Sequence, residues 1–225
     1  MFDSRRRFLR ACAGACVLLP ATGHAGDAWT QIDPSQWTPA DTQTILERSP
    51  WVKGVNPELS PDWLRSLEKN TKLVPSAEGI RDKRILSELT VIVRWESGLP
   101  VRLARHSGTE PAYVPDHFVL SVSRVPTSFM AAMAGDSQSK DKALLAQQML
   151  KSSSLTLGAK PPIPAEDAEW ALSDFESRLM LSFPQGRQTV ESSDGVATFA
   201  CQMGFLLLRA SFPLRRMIYR GKLAL

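Results

Sequence analysis

The stretch that decides the fold is VATFACQMGFLLLRASF, residues 196–212. Small and apolar side chains recur at every second position of its first half: Ala197, Phe199, Cys201 and Met203. A spacing of two places these side chains on one face of a β-strand, where they can pack into a core. We therefore predict neighbouring strands over residues 196–203 and 206–212.

Outward from this pair, the same spacing predicts further strands. Leu179, Leu181 and Phe183 alternate with Met180 and Ser182. Ser193-Asp194-Gly195 predicts a turn, because glycine readily adopts the positive φ that a tight hairpin requires. A final strand is expected over 217–225, with Pro213 at a bulge or an edge.

The first half of the chain combines helices and strands. Thr38-Pro39 predicts the start of a helix that ends near Arg48, since threonine caps helices and proline suits their first position. Further helices are expected from Ser60 to Lys69 and over 139–150. Alternation predicts a half-buried strand over 89–96 and another over 117–123. The expected fold is α+β, a predominantly antiparallel sheet with a few helices, mainly in the N-terminal half.

The amino terminus reads as an export signal. A basic segment is followed by a short apolar run, residues 11–21, and then by small residues, the order found in secretory signal peptides. Arg5 and Arg6, with Phe8 and Leu9 after them, resemble the twin-arginine signal. An ordinary Sec signal is the alternative, and Cys16 faintly resembles a lipoprotein cleavage site.

Small residues predict where this signal is removed. Gly23 and Ala25 occupy the positions before the cut, so cleavage is expected between Ala25 and Gly26. Residues 1–25 would be the signal and 26–225 a single domain, loosely ordered over 26–36. The twin-arginine translocon is the expected partner during export, and a periplasmic or secreted protein with no remaining membrane span is the expected product.

Composition limits the partners of the mature chain. Four of the 27 basic and one of the 23 acidic side chains lie in the signal, leaving 23 basic and 22 acidic ones. This balance gives no support to nucleic-acid binding, which usually requires a concentrated basic face. Cys201 alone remains after cleavage, so neither an internal disulfide nor a multi-cysteine metal site can form.

The mature chain contains none of the common catalytic motifs, but two groups of residues could carry chemistry. His106 and His117, with Glu110 and Asp116, offer nitrogen and oxygen ligands for zinc. A structural interpretation competes with this one, because Gly108, Pro111 and Pro115 make the intervening loop irregular. We expect no metal and no cofactor.

The second group is acidic. If Pro164 begins a helix, Asp167, Trp170 and Asp174 lie on one of its sides, as a glycosidase with an aromatic platform would need. An exposed acidic helix face, favoured by the helix dipole, is the simpler interpretation.

Two further features have structural interpretations as well. Arg102, Arg105 and His106 would share a face of a short helix after Pro100 and could hold an anion, or could simply face water. The alternation around Cys201 indicates a buried, unreactive thiol rather than a nucleophile.

Three segments resemble a group of uncharacterised exported bacterial proteins that carry twin-arginine signals. They are WTPADTQTILERSPWVKGV (37–55), VIVRWESGLPVRLA (91–104) and FPLRRMIYRGKLAL (212–225). The resemblance covers most of the mature chain but includes no catalytic motif. It implies one exported domain and assigns no functional residue.

The expected function is therefore that of an exported, soluble, non-enzymatic binding or interaction module with an envelope partner or ligand. The alternative is a periplasmic hydrolase that uses either the acidic group around Trp170 or the pair His106 and His117.

Overall fold

The computed structural model describes most of residues 32–225. The described residues are 32–61, 65, 89–106, 116–125, 138–172, 177–186, 189–204 and 206–225. The predicted export signal, its predicted cleavage site, Glu110 and Asp174 lie outside these residues. Within them, no helix is long and apolar enough to cross a membrane.

The helices and strands have the following bounds. The helices are α1 (Pro39–Arg48), α2 (Leu99–Arg105) and α3 (Gln138–Ser152). The strands of the first half are β1 (Val52–Val55), β2 (Glu58–Leu59), β3 (Val91–Trp95) and β4 (His117–Ser123). Those of the second half are β5 (Ser154–Leu157), β6 (Ile163–Pro164), β7 (Asp167–Leu172), β8 (Ser177–Pro184), β9 (Val196–Met203), β10 (Leu206–Pro213), β11 (Ile218–Tyr219) and β12 (Lys222–Leu223).

The start of α1 follows from its sequence. The Thr38 hydroxyl accepts a hydrogen bond from the backbone N–H of Asp41, and the Asp41 carboxylate accepts one from the backbone N–H of Thr38. This reciprocal cap satisfies two N–H groups that a helix start otherwise leaves without partners. Before it, Pro34–Gln36 form a single 3₁₀ turn, which belongs to the segment expected to be loosely ordered.

Two five-stranded antiparallel sheets form the body of the molecule. The first sheet has the order β1-β3-β4-β8-β7, and the second has the order β2-β10-β9-β5-β6. The predicted neighbours β9 and β10 pair along their whole length, from Met203 opposite Leu206 to Val196 opposite Pro213. These sheets, with helices concentrated in the N-terminal half, confirm the predicted α+β class.

The core lies between the facing sides of the two sheets. Ala197, Phe199, Cys201 and Met203 are all buried there, as their alternation predicts. Trp95 of the first sheet makes an edge-to-face contact with Phe212 of the second, with ring centroids 5.5 Å apart. Burial of these apolar side chains is the main source of stability in such a layered fold.

The helices cover different parts of this sandwich. Helix α3 packs against β7 of the first sheet and β9 of the second. Helices α1 and α2 contact each other, and their side chains and backbone reach the outer side of the first sheet at β3. Strand β3 is consequently buried on both faces, and the prediction that it is half-buried was wrong.

The acidic segment is a strand, not a helix. Asp167–Leu172 form β7, which pairs with β8 from Asp167 opposite Ser182 to Leu172 opposite Ser177. Ala168 and Leu172 fit both a helical spacing of four and a strand spacing of two, so the apolar pattern allowed either structure. Backbone pairing with the adjacent β8 favours the strand over the helix.

Two predictions about turns and the tail also need correction. Gly195 has the predicted positive φ of +88°, but its turn links β8 of the first sheet to β9 of the second and is not a tight hairpin. The single strand expected over 217–225 is a short hairpin formed by β11 and β12. Arg220 and Gly221, at φ +49° and +77°, form its two-residue turn.

Helix α3 confirms the helix predicted over 139–150, and β4 confirms the strand predicted over 117–123. Of the helix expected from Ser60 to Lys69, Pro61 and Arg65 are described and helical, and residues 62–64 and 66–69 lie outside the described part.

Candidate ligand-binding groove

A buried polar cluster lies on the outer side of the first sheet. Arg94 of β3 and Ser121 of β4 are directly opposite each other in the strand register. Glu96, immediately after β3, is only 6% exposed. Charged side chains are rarely buried to this extent unless they are paired, so the cluster needs partners from the covering helices.

Those partners come from α1 and α2. The Arg94 Nε donates a hydrogen bond to the Leu46 carbonyl of α1 at 2.8 Å. The Arg105 guanidinium of α2 donates two hydrogen bonds to Glu96, from Nε to Oε2 at 2.7 Å and from Nη2 to Oε1 at 2.8 Å. Such a two-pronged contact fixes the guanidinium plane against the carboxylate.

Glu96 is the centre of the cluster. Its Oε1 also accepts a hydrogen bond from the Ser121 hydroxyl at 2.6 Å and lies 3.4 Å from the Arg94 Nη1. Burial alone would raise the pKa of Glu96, but the hydrogen bonds and charge of Arg105, the charge of Arg94 and the Ser121 hydroxyl outweigh it and lower the pKa. Glu96 is therefore ionised at neutral pH.

A groove of about 690 Å³ opens beside this cluster. Its lining comes from α1 and the residues before it, from α2, and from β3 and the end of β4: Trp37, Pro39, Thr42, Gln43, Leu46, Glu47, Arg94, Ala104, Arg105 and Arg124. Its volume lies within the range of small-molecule sites, and its lining combines apolar side chains with polar and charged ones.

Arg124 also lines the groove. It follows β4 with φ +60° and its side chain is 57% exposed. Its Nη2 lies 3.4 Å from the Glu47 carboxylate of α1, a long contact between two exposed groups. Surface ion pairs of this kind contribute little to stability, so the Arg124 guanidinium can change partners at little cost.

Trp37 is a further lining residue of the groove. Its indole Nε1 is buried and has no hydrogen-bond partner among the described residues. An indole N–H can only donate, and a buried donor without an acceptor costs free energy. Because this atom is inaccessible to solvent, Trp37 offers the groove its ring surface rather than its N–H.

His117 lies elsewhere, at the start of β4. Its Nδ1 is 2.5 Å from the Asp116 carboxylate and its Nε2 is 3.0 Å from the Glu166 carboxylate. The hydrogen bonds to Asp116 and then to Glu166 raise the pKa of His117. Glu166, a residue that the sequence did not single out for this group, thus links the connection before β7 to β4.

Of the other members of the predicted metal group, Asp116 contacts His117, and Glu110 lies outside the described residues. His106 is exposed at the end of α2, where its backbone N–H bonds to the carbonyls of Arg102 and Leu103. Within the described ranges, no set of three or more histidine, cysteine, aspartate or glutamate side chains has an arrangement suited to a metal ion.

The predicted glycosidase arrangement is wrong. Asp167 and Trp170 are three residues apart in a strand, so they point to opposite faces. Asp167 is exposed, whereas Trp170 packs against the core. The Asp167 carboxylate and the Trp170 ring therefore do not meet, and Asp174 lies outside the described residues.

The two arginines of the predicted basic face, Arg102 and Arg105, line different cavities. Arg105 lines the groove. Arg102 lines a separate cavity of about 580 Å³ with Arg220 and Lys222 of the C-terminal hairpin. His106 lines neither.

Cys201 is buried, as predicted, and is 2% exposed. Burial raises the pKa of its thiol to about 12, against a smaller opposing effect of the Ser153 hydroxyl. The thiolate that a nucleophile requires is thus absent at neutral pH.

The groove was not predicted, because a half-buried strand over residues 89–96 would place Arg94 and Glu96 on its solvent-facing side. Alternation identifies two faces of a strand but does not reveal that helices cover the second one. The available signal was the continuous apolar run Val91-Ile92-Val93, which is typical of a strand buried on both faces.

Comparison of the chain with protein-family models, with curated proteins and with solved structures finds no match.

Proposed function

We propose that this chain is an exported binding protein whose ligand is a small molecule held in the groove between α1 and α2. The observation that carries this proposal is a cavity of about 690 Å³ built against the hydrogen-bonded Arg94–Glu96–Arg105 cluster, in which Arg94 and Glu96 are buried. A rigid polar floor beside apolar walls lowers the entropic cost of binding, because the protein groups are ordered before the ligand arrives.

The chemistry of the lining favours binding over catalysis. Guanidinium groups remain protonated at any physiological pH, so Arg94, Arg105 and Arg124 do not transfer protons. Glu96 is ionised, buried and fully engaged with its partners, which leaves it poorly suited to act as a general base. The groups present can hold and orient a ligand.

The proposal of export rests on residues 1–25. The paired Arg5 and Arg6, followed by Phe8 and Leu9, and the small residues up to Ala25 support passage through the twin-arginine translocon and cleavage before Gly26. The resemblance to exported bacterial proteins supports the same conclusion. The mature protein would then act in the periplasm or outside the cell, on a ligand or partner in the envelope.

A fluorescent probe tests whether the groove binds ligands. N-phenyl-1-naphthylamine is uncharged, mainly apolar and small enough for the cavity. We expect wild-type protein to bind it, and Thr42→Trp, which fills the groove from α1, to bind it at least tenfold more weakly.

Thr198→Trp is the matched control, since Thr198 is also half-buried but lies on the outer side of β9, away from the groove. Equal binding by wild type and both variants would show that the probe does not use the groove and would contradict the proposed function.

A further inference from the structure

We infer that the ligand of the groove is an organic anion, a molecule with a single carboxylate, phosphate or sulfonate group on an apolar body. This inference rests on the proposed function and specifies its ligand class. It follows from the charge, the hydrogen-bond donors and the apolar walls of the groove.

Positive charge predominates along the groove. Three guanidinium groups line it, those of Arg94, Arg105 and Arg124. Arg94 and Arg105 contact the buried Glu96, and the exposed Arg124 makes a long contact with Glu47. Arg105 and Arg124 keep part of their side-chain surface open to solvent, so an anionic group on a ligand would be attracted to them.

Hydrogen-bond donors are also in excess. Arg105 uses Nε and Nη2 on Glu96, which leaves its Nη1 without a partner in the described part of the chain. Arg124 contributes a second donor group, because its contact with Glu47 is long and exposed. Several donors facing one space match the acceptor oxygens of an oxyanion.

Part of the lining is apolar. Trp37, Pro39, Leu46 and Ala104 provide an aromatic ring and aliphatic surface beside the guanidinium groups. An inorganic anion would leave most of a cavity of about 690 Å³ unfilled. A ligand with an apolar body would bury this surface and place its charge among the arginines.

The chain offers a close control for Arg124. Arg220 also has a positive φ, +49° against +60°, and its side chain is equally exposed at 57%. It too makes one long ion pair, at 3.3 Å to Asp33, but it lines the separate cavity at the C-terminal hairpin. Arg124→Gln and Arg220→Gln therefore remove the same charge in the same setting from different cavities.

Two probes that differ in a sulfonate group provide the test. They are 8-anilinonaphthalene-1-sulfonate and the uncharged N-phenyl-1-naphthylamine, each titrated into folded protein followed by fluorescence. We expect Arg124→Gln to weaken binding of the sulfonate about tenfold and to leave the uncharged probe within twofold of wild type. Arg220→Gln should change neither, and octanoate or octyl phosphate should displace the sulfonate.

The outcomes separate the two proposals. If Arg124→Gln leaves sulfonate binding unchanged while Thr42→Trp abolishes binding of the uncharged probe, the groove binds ligands but the anion inference is wrong. If the sulfonate responds to Arg220→Gln alone, the C-terminal cavity is the anion site and the inference is also wrong. If neither probe responds to Thr42→Trp, the proposed function fails as well.

Discussion

Arg105 of α2 and Glu96 of the sheet meet through two hydrogen bonds, at 2.7 and 2.8 Å, with the carboxylate side chain only 5% exposed. This pair joins the helix that forms one wall of the groove to the strand that forms its floor. The position of that wall, and so the shape of the groove, depends on it.

The first prediction concerns the stability of this junction. Glu96→Gln removes the carboxylate charge but leaves Arg94 and Arg105 in a buried, positively charged setting. Loss of one partner of a buried pair typically costs about 3–5 kcal/mol, and we expect a decrease of about 3 kcal/mol in the free energy of unfolding, measured with urea.

Glu47→Gln is the control, since it removes the same charge from the exposed pair with Arg124. We expect it to cost less than about 1 kcal/mol. Equal effects of the two substitutions would show that Glu96 does not hold the junction.

The second prediction is the pH dependence of the same group. Since the pKa of Glu96 is lower in the folded than in the unfolded protein, its ionised form stabilises the fold above the unfolded pKa, and this contribution is lost as the pH falls through the folded pKa. We expect the difference in unfolding free energy between wild type and Glu96→Gln to be largest near pH 7 and to shrink steadily below about pH 4.3.

The comparison with Glu96→Gln is needed because other acids also have lowered pKa values. Hydrogen bonds lower the pKa values of three aspartates. The donors are Ser35 to Asp33, Thr38 to Asp41 and Lys160 to Asp194. These groups are shared by wild type and variant, so their contribution cancels in the difference. A difference that stays constant from pH 7 to pH 3 would contradict the prediction.

The third prediction concerns His117, whose contribution to stability has the opposite pH dependence from that of Glu96. Hydrogen bonds to Asp116 and Glu166 raise the pKa of His117 in the folded protein. Its protonated form therefore stabilises the fold below the unfolded pKa of about 6.5. This stabilisation is lost as the pH rises through the folded pKa. His117→Gln should be less stable than wild type at pH 5.5 and should approach it at pH 9, by thermal unfolding. A stability difference between wild type and His117→Gln that does not change from pH 5.5 to pH 9 would contradict the prediction.

The fourth prediction concerns export. Replacement of Arg5 and Arg6 together by lysine should leave the full-length chain inside the cell if the twin-arginine signal operates. Cell fractionation followed by intact mass measurement checks it, and the exported wild type should have the mass of residues 26–225. Undiminished export of the double variant would favour the ordinary Sec route.

The sequence predicted those parts of the fold that depend on local pattern. The alternation around Phe199 identified β9 and its buried face, and Thr38 with Pro39 located the start of α1. The acidic segment failed because Ala168 and Leu172 fit both spacings, and pairing with β8 made the choice.

The groove could not be predicted in the same way. Arg94 and Glu96 lie on a strand, Arg105 on a helix and Arg124 after another strand, and their meeting depends on how α1 and α2 cover the first sheet. That coverage is a tertiary contact between surfaces. The alternation along β3 is consistent with burial or exposure of this face, so it does not determine which occurs.

The most direct test of the binding site is amide hydrogen exchange measured by mass spectrometry, with and without saturating 8-anilinonaphthalene-1-sulfonate. The account predicts slower exchange over residues 37–48 and 99–106, which contain the two helical walls of the groove, and unchanged exchange over residues 218–225. Protection confined to the C-terminal hairpin, or absent from both helical walls despite bound probe, would contradict it.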